Sequence, residues 1–482
     1  MSGPAEPNDR SRTAKAELFR RAAERGADYI AAERGVPVVP VGAEHAMDLA
    51  TRLAAFDLDR PRSSETVIDA LADLGRDHAV RSTGGRYFGF VTGGTEPTAL
   101  AASVLASVWD QNIALPVMSP LASAIDERCV DWLLDLLGLP ATATASFCSG
   151  ASVANLTAVI TARDALLAAA DWDTATRGLA GAPSLTAIVS AEIHVSALKA
   201  LRLAGIGTDS IVAAPVDGCG RIDVERLPPI DGPTLVVTQA GNVNTGHVDP
   251  VGAIVDEVAE STAPVWVHVD GAFGLWAAAS PGRRHLVDGV ERADSWATDC
   301  HKWLNVPYDC GLVAVADGRH LRATMATDAA YLGSSEGVRS LMHLGLQMSQ
   351  PARAIPVWAT LAALGRNGVA ELVDRCCDLA ARFAARLDEA GATILAPVVL
   401  NQVLVSFGPG AAGDATTDAV IDAVARSGRT WMGGTTWQGR RAMRISVSDI
   451  ASDEAAVDAA TDAVLGAWAE FTRGPDRKNI VE

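Results

Sequence analysis

ADSWATDCHKWLNVPYD, residues Ala293 to Asp309, joins a strand-like run (294–298) to an amine, Lys302, set among Trp296, Trp303, Leu304 and Val306. Of the 40 basic residues only four are lysines: Lys15, Lys199, Lys302 and Lys478. A chain that uses arginine for nearly all its positive charge keeps an amine here. A guanidinium stays protonated near neutral pH and forms no imine, whereas a partly desolvated lysine does. Lys302 therefore reads either as a side chain snorkelling from an apolar surface or as a lysine that bonds to a carbonyl carbon. What surrounds the stretch decides between them.

Around it the pattern alternates. Short β-branched runs at 185–190, 210–215, 234–238, 265–269, 295–298 and 312–315 are separated by helix-like segments or loops, which predicts an α/β domain with a mostly parallel sheet. Upstream, 97–140 carries two apolar helical stretches, 14–34 and 63–80 read as helices, and the proline-flanked 36–40 as extended. Residues 1–13 are polar and expected to be disordered. The first 80 residues show no strands of their own and read as an arm that packs on a second subunit. Downstream come a long helix (368–390), strands at 393–396 and 401–407, a helix at 416–426, a strand at 442–447 and a final helix at 453–471, a smaller α+β unit. The predicted organisation is an arm (1–80), a large domain (81–360) and a small C-terminal domain (361–482).

At 482 residues, 49% of them hydrophobic, the composition is that of a globular chain with a large core. A formal charge of −18 argues against nucleic acid or an anionic membrane surface as a partner. No apolar leader opens the sequence and no apolar run of about 18 residues follows, so neither a signal peptide nor a membrane span is expected. Seven cysteines without paired spacing predict no disulfide framework and no metal site, and suggest a reducing, cytoplasmic setting.

Three further places carry chemistry. In Phe147-Cys148-Ser149-Gly150-Ala151-Ser152, small residues and a hydroxyl precede a helical run, so free N–H groups and the positive dipole end are offered to an anion; a serine-capped helix entry is the plain alternative. His194 follows the strand at 185–190, where open α/β sheets place ligands, and can stack on a flat ring or take a proton. In Trp266-Val-His-Val-Asp270-Gly271-Ala272 a carboxylate closes an apolar strand, costly unless a cation meets it. Together with Lys302 these places ask for one ligand with a phosphate, a stacked ring, a protonated ring nitrogen and an aldehyde. Pyridoxal phosphate has all four.

The order of these groups makes a family likeness plain. The sequence resembles the group II pyridoxal-phosphate-dependent amino acid decarboxylases, the fold-type-I family of the aromatic amino acid and glutamate decarboxylases, from about residue 17 to 466. Arg86-Tyr-Phe-Gly-Phe-Val-Thr-Gly-Gly, Gly150-Ala-Ser-Val-Ala-Asn, His268-Val-Asp-Gly-Ala, and Ala293-Asp-Ser followed by Asp299-Cys-His-Lys-Trp carry it, with the spacing of Asp270 and Lys302. It implies a large domain with a seven-stranded sheet, a homodimer, and loss of CO₂ from an L-amino acid to give the amine. It further implies that Lys302 bonds to the cofactor aldehyde, Asp270 pairs with the ring nitrogen and His194 stacks on the ring. Gly150, Ala151 and Ser152 hold the phosphate with His301 and Asp299, and Ala272 lies close under the ring. Asp299 departs from relatives that have asparagine, and a carboxylate beside phosphate is expected to act through water or point away. Tyr331, before a glycine-serine lid at 333–337, matches the tyrosine that returns a proton to Cα across the dimer.

The resemblance leaves the substrate open. Tyr87, Phe88, Phe90, Asn112, Ala114 and Arg444 are the pocket candidates. Ala114 replaces a pocket phenylalanine of the aromatic enzymes, and Phe90 replaces a glutamine of the glutamate enzymes. A hydrophobic or aromatic side chain is the favoured substrate and an acidic one the alternative. An aldehyde-forming reaction, another lyase or an aminotransferase is disfavoured by retention of both His194 and Tyr331, and a non-catalytic cofactor-binding protein by the complete set of groups. Alternation puts Arg444 opposite Met443 and Ile445, either as a structural arginine, the preferred reading, or as a fork for a substrate carboxylate.

Overall fold

The computed structural model describes residues 7–32, 36–40, 43–327 and 339–472. Its larger sheet has seven strands: β1 (Thr144–Cys148), β2 (Thr186–Ser190), β3 (Ile211–Ala214), β4 (Thr234–Gln239), β5 (Val265–Asp270), β6 (Ser295–Asp299) and β7 (Gly311–Val315). Their order is β1-β7-β6-β5-β4-β2-β3, and β3, β2, β4, β5 and β6 pair in parallel. Both faces of such a sheet are covered, so β4 (Thr-Leu-Val-Val-Thr-Gln) is buried along its whole length rather than alternating. β7 is antiparallel to both its neighbours. The loop 300–310 that leads into it holds no helix to carry a crossover, so the chain must double back. Lys302 lies in that loop, at the edge where β1, β2, β4 and β5 also end.

Three helices come first along the chain: α1 (Pro7–Ala31), α2 (Ala43–Ala54) and α3 (Ser64–His78). Arg21 and Arg25 of α1 both pair with Asp69 of α3, and the Arg81 guanidinium lies 3.7 Å from the Tyr29 ring centroid. Before and between the strands of the larger sheet come α4 (Pro97–Trp109), α5 (Pro120–Leu136), α6 (Ala151–Ala169), the one-turn α7 (Thr174–Arg177), α8 (Val195–Leu203) and α9 (Val251–Ala259), with α10 (Gly318–Met325) after β7. α6 packs against β5, β6 and β7, which aims its N-terminus at the Lys302 loop. α11 (Ala354–Glu389) leads to an antiparallel sheet of β8 (Thr393–Ile394), β9 (Gln402–Ser406), β10 (Gly433–Trp437) and β11 (Arg440–Ser446) in the order β10-β11-β9-β8. α12 (Gly410–Ser427) and α13 (Glu454–Thr472) complete this unit.

The seven-stranded, mostly parallel α/β sheet is as expected from the sequence, and several local expectations are corrected. Residues 7–13, expected to be disordered, are the first turns of α1: Pro7 suits a helix start, and no further proline or glycine occurs before Gly26. α2, β1 and β10 were not anticipated, because β1 (Thr-Ala-Ser-Phe-Cys) and β10 (Gly-Gly-Thr-Thr-Trp) are rich in small residues that weaken a strand pattern. α11 begins at Ala354 rather than 368, since Gly365 (φ 63°) kinks it without ending it.

One connection bears directly on the site. The stretch 85–88 is hydrogen-bonded to the C-terminal unit along its length. Gly85 N–H donates to Asp449 Oδ2 (2.8 Å), Phe88 N–H to the Trp431 carbonyl (2.8 Å), and Ser446 N–H to the Phe88 carbonyl (2.9 Å).

Candidate active site

The register of three strands builds the centre. Gly311 of β7 faces Cys148 of β1 on one side and Asp299 of β6 on the other. A Cβ on Gly311 would stand 2.5 Å from Gly150 Cα, so its absence lets the start of α6 close onto the end of β6. Gly150 itself (φ 154°) has no room for a side chain either, with His301 Cε1 at 2.9 Å and Asp299 Oδ1 at 3.2 Å from where its Cβ would be. α6 therefore begins without a side-chain cap, Ala151 buried and Ser152 exposed at its first turn.

Asp299 is buried at this junction. Its Oδ1 accepts the Ala151 N–H at 2.6 Å and its Oδ2 lies 3.0 Å from Lys302 Nζ, while His301 Nε2 is 3.5 Å from Oδ1. Asp299 thus binds the helix start and the amine directly, as a carboxylate suits an N-terminal N–H. Cys310 N–H donates to His301 Nδ1 at 3.1 Å, so the neutral ring carries its proton on Nε2, toward the cradle; burial pushes its pKa down. The Tyr308 ring lies 4.3 Å from the His301 ring, a contact the sequence reading missed.

His194 caps α8. Ser196 N–H donates to its Nδ1 at 3.3 Å, leaving the proton of the neutral ring on Nε2. Burial lowers its pKa, Asp270 opposes that shift, and the positive charges of Lys302 and Arg444 reinforce it. The four groups therefore share one electrostatic neighbourhood, although they come from β5, α8, the Lys302 loop and the C-terminal sheet.

Asp270 ends β5, 5% exposed. Oδ2 accepts Asn155 Nδ2–H at 2.9 Å and Oδ1 accepts Ala272 N–H at 3.2 Å. Burial raises its pKa, and the charge of Lys302, then that of His194 when protonated, opposes the rise. Behind it runs a chain that the sequence reading did not assign: Asn155 Oδ1 meets His268 Nε2 at 2.9 Å, His268 Nδ1 meets Ser295 Oγ at 2.9 Å, and Trp266 Nε1–H donates to Ser295 Oγ at 2.8 Å.

The pocket candidates divide. Tyr87 and Phe90 both stack on Trp431, each with ring centroids 5.0 Å apart, and Phe90 is 63% exposed with φ at 55°. Phe88 is corrected: it is fully buried, edge-on to Phe383, and belongs to the core. Asn112 Oδ1 accepts the N–H groups of Ala114 and Gln350, and Ala114 is buried. Asn112 and Tyr308 line one open groove of about 710 Å³ with Gln350 and Arg353. Arg444 is partly buried; its Nη1–H donates to the Val243 carbonyl at 3.3 Å, and no carboxylate among the described residues pairs with it. Burial lowers its pKa. Tyr331 and 333–337 lie outside the described residues.

These groups fit pyridoxal phosphate. A helix start cleared of Cβ atoms suits the phosphate, a half-buried amine the aldehyde, a buried carboxylate the ring nitrogen, and a flat neutral imidazole the ring face. Asp299 alone sits awkwardly for a phosphate, and Lys302 at 3.0 Å offsets its charge.

The family model for the pyridoxal-dependent decarboxylase conserved domain matches residues 78–408. L-2,4-diaminobutyrate decarboxylase of Rhizobium meliloti (strain 1021) is 32% identical over 333 residues, 66% of this chain and 64% of the relative. Aromatic-L-amino-acid decarboxylase of Bacillus atrophaeus is 29% identical over 316 residues, 63% of each. The matches thus span somewhat less than two thirds of either curated relative. Among solved structures, Oryza sativa TDC with PLP and tryptamine superposes with a TM-score of 0.87 at 23% identity, over 98% of this chain and all of that one, and so shares its fold.

Proposed function

Because this chain belongs to the pyridoxal-dependent decarboxylase family, we propose that it removes CO₂ from an L-amino acid and leaves the amine, with pyridoxal phosphate as its cofactor. The observation that carries the reading is the convergence of Lys302, Asp270 and His194, from three different elements, on one buried neighbourhood with the start of α6. When bound, the cofactor supplies an electron sink, drawing the bonding pair of a departing carboxylate into its ring. The protein's own groups do the rest. Lys302 would offer the amine that holds the aldehyde. Asp270, oriented by Asn155, would favour a proton on the ring nitrogen, and His194 would offer a flat, neutral face to the ring. Gly150 and Ser152, with the His301 Nε2–H, would hold the phosphate, joined by the Ala151 N–H once it leaves Asp299 Oδ1.

For the substrate, the exposed Phe90 beside Trp431 and Tyr87 supports an apolar or aromatic side chain. A specific observation favours a second reading: Arg444, partly buried and with no carboxylate partner among the described residues, suits a substrate carboxylate, as an acidic side chain would supply. Measuring CO₂ release and amine formation across the twenty amino acids and 2,4-diaminobutyrate separates these. Release from none of them rejects the decarboxylase reading.

The assembly we propose is a homodimer. Phe19 on α1, Met47 and Leu53 on α2, Leu58, and Leu71 on α3 are exposed, with Val108 and Trp109 of α4 and Val117 beyond them. So many apolar side chains in the open support a covering partner, and a second copy is the simplest one. On this reading Tyr331 protonates Cα in the neighbouring subunit's site. Mixed dimers of Lys302→Ala and Tyr331→Phe then regain activity that neither parent has. Seven free thiols, six of them buried, support a reducing compartment, the cytoplasm. No helix among the described residues is long and apolar enough to cross a membrane.

A further inference from the structure

Asn305 stands three residues beyond Lys302, fully buried, with φ at 57°. Asparagine tolerates that left-handed conformation better than most residues, and glycine adopts it freely. Its side-chain amide is saturated. Oδ1 accepts the N–H of Gly94 at 2.7 Å and of Ile450 at 2.8 Å, and Nδ2–H donates to the carbonyls of Trp303 and Ser448, both at 2.9 Å. Two donors and two acceptors are all that a primary amide has, and two N–H groups on one side with two carbonyls on the other fix which atom is which.

The partners come from three separate stretches: the loop that carries Lys302, the Gly93-Gly94 segment ahead of α4, and 448–450 just after β11. These segments are in contact. A Cβ on Gly93 would stand 1.9 Å from the Lys302 carbonyl oxygen, and one on Gly94 1.8 Å from Asp449 Oδ1. The Asn305 backbone adds two further ties, its N–H to the Lys302 carbonyl at 3.2 Å and its carbonyl to the Glu96 N–H at 2.8 Å.

We propose that Asn305 is a positioning residue for Lys302: its amide fastens the lysine's loop to the 448–450 segment of the C-terminal unit, so that a shift of that unit is carried directly to the lysine's backbone. This rests on the reading of Lys302 as the cofactor-bearing lysine. β11 leads into 448–450 and also carries Arg444, so one rigid strand holds the arginine and the anchor of the amine together. A substrate that engages Arg444 thereby acts on the position of Lys302 as well.

Asn305→Gly tests this, because glycine keeps the backbone conformation and removes only the side-chain bonds, the longer one from Nδ2–H to the Lys302 carbonyl (3.4 Å) included. The variant is expected to fold and to give a borohydride-reducible cofactor adduct on Lys302, which checks the underlying reading independently. Its turnover per loaded site is expected to fall about 100-fold, the cost of misplacing a reacting group by about 1 Å, with KM little changed. The visible circular dichroism per bound cofactor changes with it. A purely structural amide predicts a lower melting temperature with turnover and dichroism per loaded site unchanged, and that result overturns the proposal. A second measurement needs no variant. In the unaltered protein, amide hydrogen exchange of 92–96, 302–306 and 448–450 is expected to slow together when pyridoxal phosphate is added to the apoprotein. Slowing confined to 302–306 overturns the proposal equally.

Discussion

Asn155 Nδ2 donates to Asp270 Oδ2 at 2.9 Å, and this one bond fixes the direction of every proton behind it. With its nitrogen spent on Asp270, Asn155 presents its oxygen to His268, whose Nε2 must then carry hydrogen. His268 Nδ1 is left to accept from Ser295 Oγ–H, and Ser295 Oγ in turn accepts from Trp266 Nε1–H. The chain ends on a carboxylate that stays an acceptor.

His268 should register in the pH dependence of stability. Burial pushes its pKa from the usual 6.5 to about 4. An unfolded chain takes up that proton near pH 6.5, while the fold refuses it until about pH 4. The contribution is complete above pH 6.5 and is lost as pH falls toward 4, so by pH 5 the loss should amount to about 2 kcal/mol. Urea unfolding at pH 7.5 and 5.0 measures this. His268→Gln should lose correspondingly less between the two, and equal losses in both proteins would refute the assignment.

Lys302 should hold the cofactor covalently. The purified protein should absorb in the visible, and borohydride should fix the label on the peptide containing Lys302. Lys302→Ala and Lys302→Arg should both give none, since charge is not what the position supplies. A reducible adduct surviving in either variant places the bond elsewhere.

Asp299→Asn should tighten the phosphate site. Removing a carboxylate from beside a bound dianion relieves like-charge repulsion, on the order of 1 kcal/mol in a partly screened site, or roughly fivefold in affinity. Inorganic phosphate titrated into the apoprotein and followed by calorimetry reads this without turnover. Weaker binding would show that the carboxylate's hold on Ala151 and Lys302 matters more than its charge.

Arg444→Met separates the two substrate readings. A structural arginine predicts lower stability and lower turnover on every substrate alike. A carboxylate-binding arginine predicts an intact fold and a KM raised selectively for acidic substrates, by roughly 10-fold or more for a charge-assisted contact of about 1.5–3 kcal/mol.

Much of this site was legible in the sequence because its charged members close strands or follow them, where the hydrophobic pattern breaks. Lys302, Asp270 and His194 each interrupt or end an apolar run. The Asn155–His268–Ser295 chain was not legible, since its partners lie on α6, β5 and β6 and meet only through the packing of a helix on a sheet. Phe88 was misplaced because a motif groups neighbours that the backbone separates: Phe88 turns into the core, whereas Tyr87 stacks on Trp431. Trp431 and Asn305 gave no signal, since a lone tryptophan before two glycines and a lone asparagine in a loop are ordinary until their partners are known.

The return of β7 beside β6 also bears on how the chain can be re-engineered. Both ends of the 300–310 loop are held in neighbouring strands within the sheet, so an insertion or a new pair of termini there would split an internal strand pair and free the amine from its partners. The stretch 178–184 between α7 and β2 is largely exposed and lies outside every contact described for the site. A circular permutant opened there should keep the sheet, the loop and the Lys302–Asp299 pair intact. The order of segments along this chain is therefore more freely exchangeable than the hairpin that carries its reactive lysine.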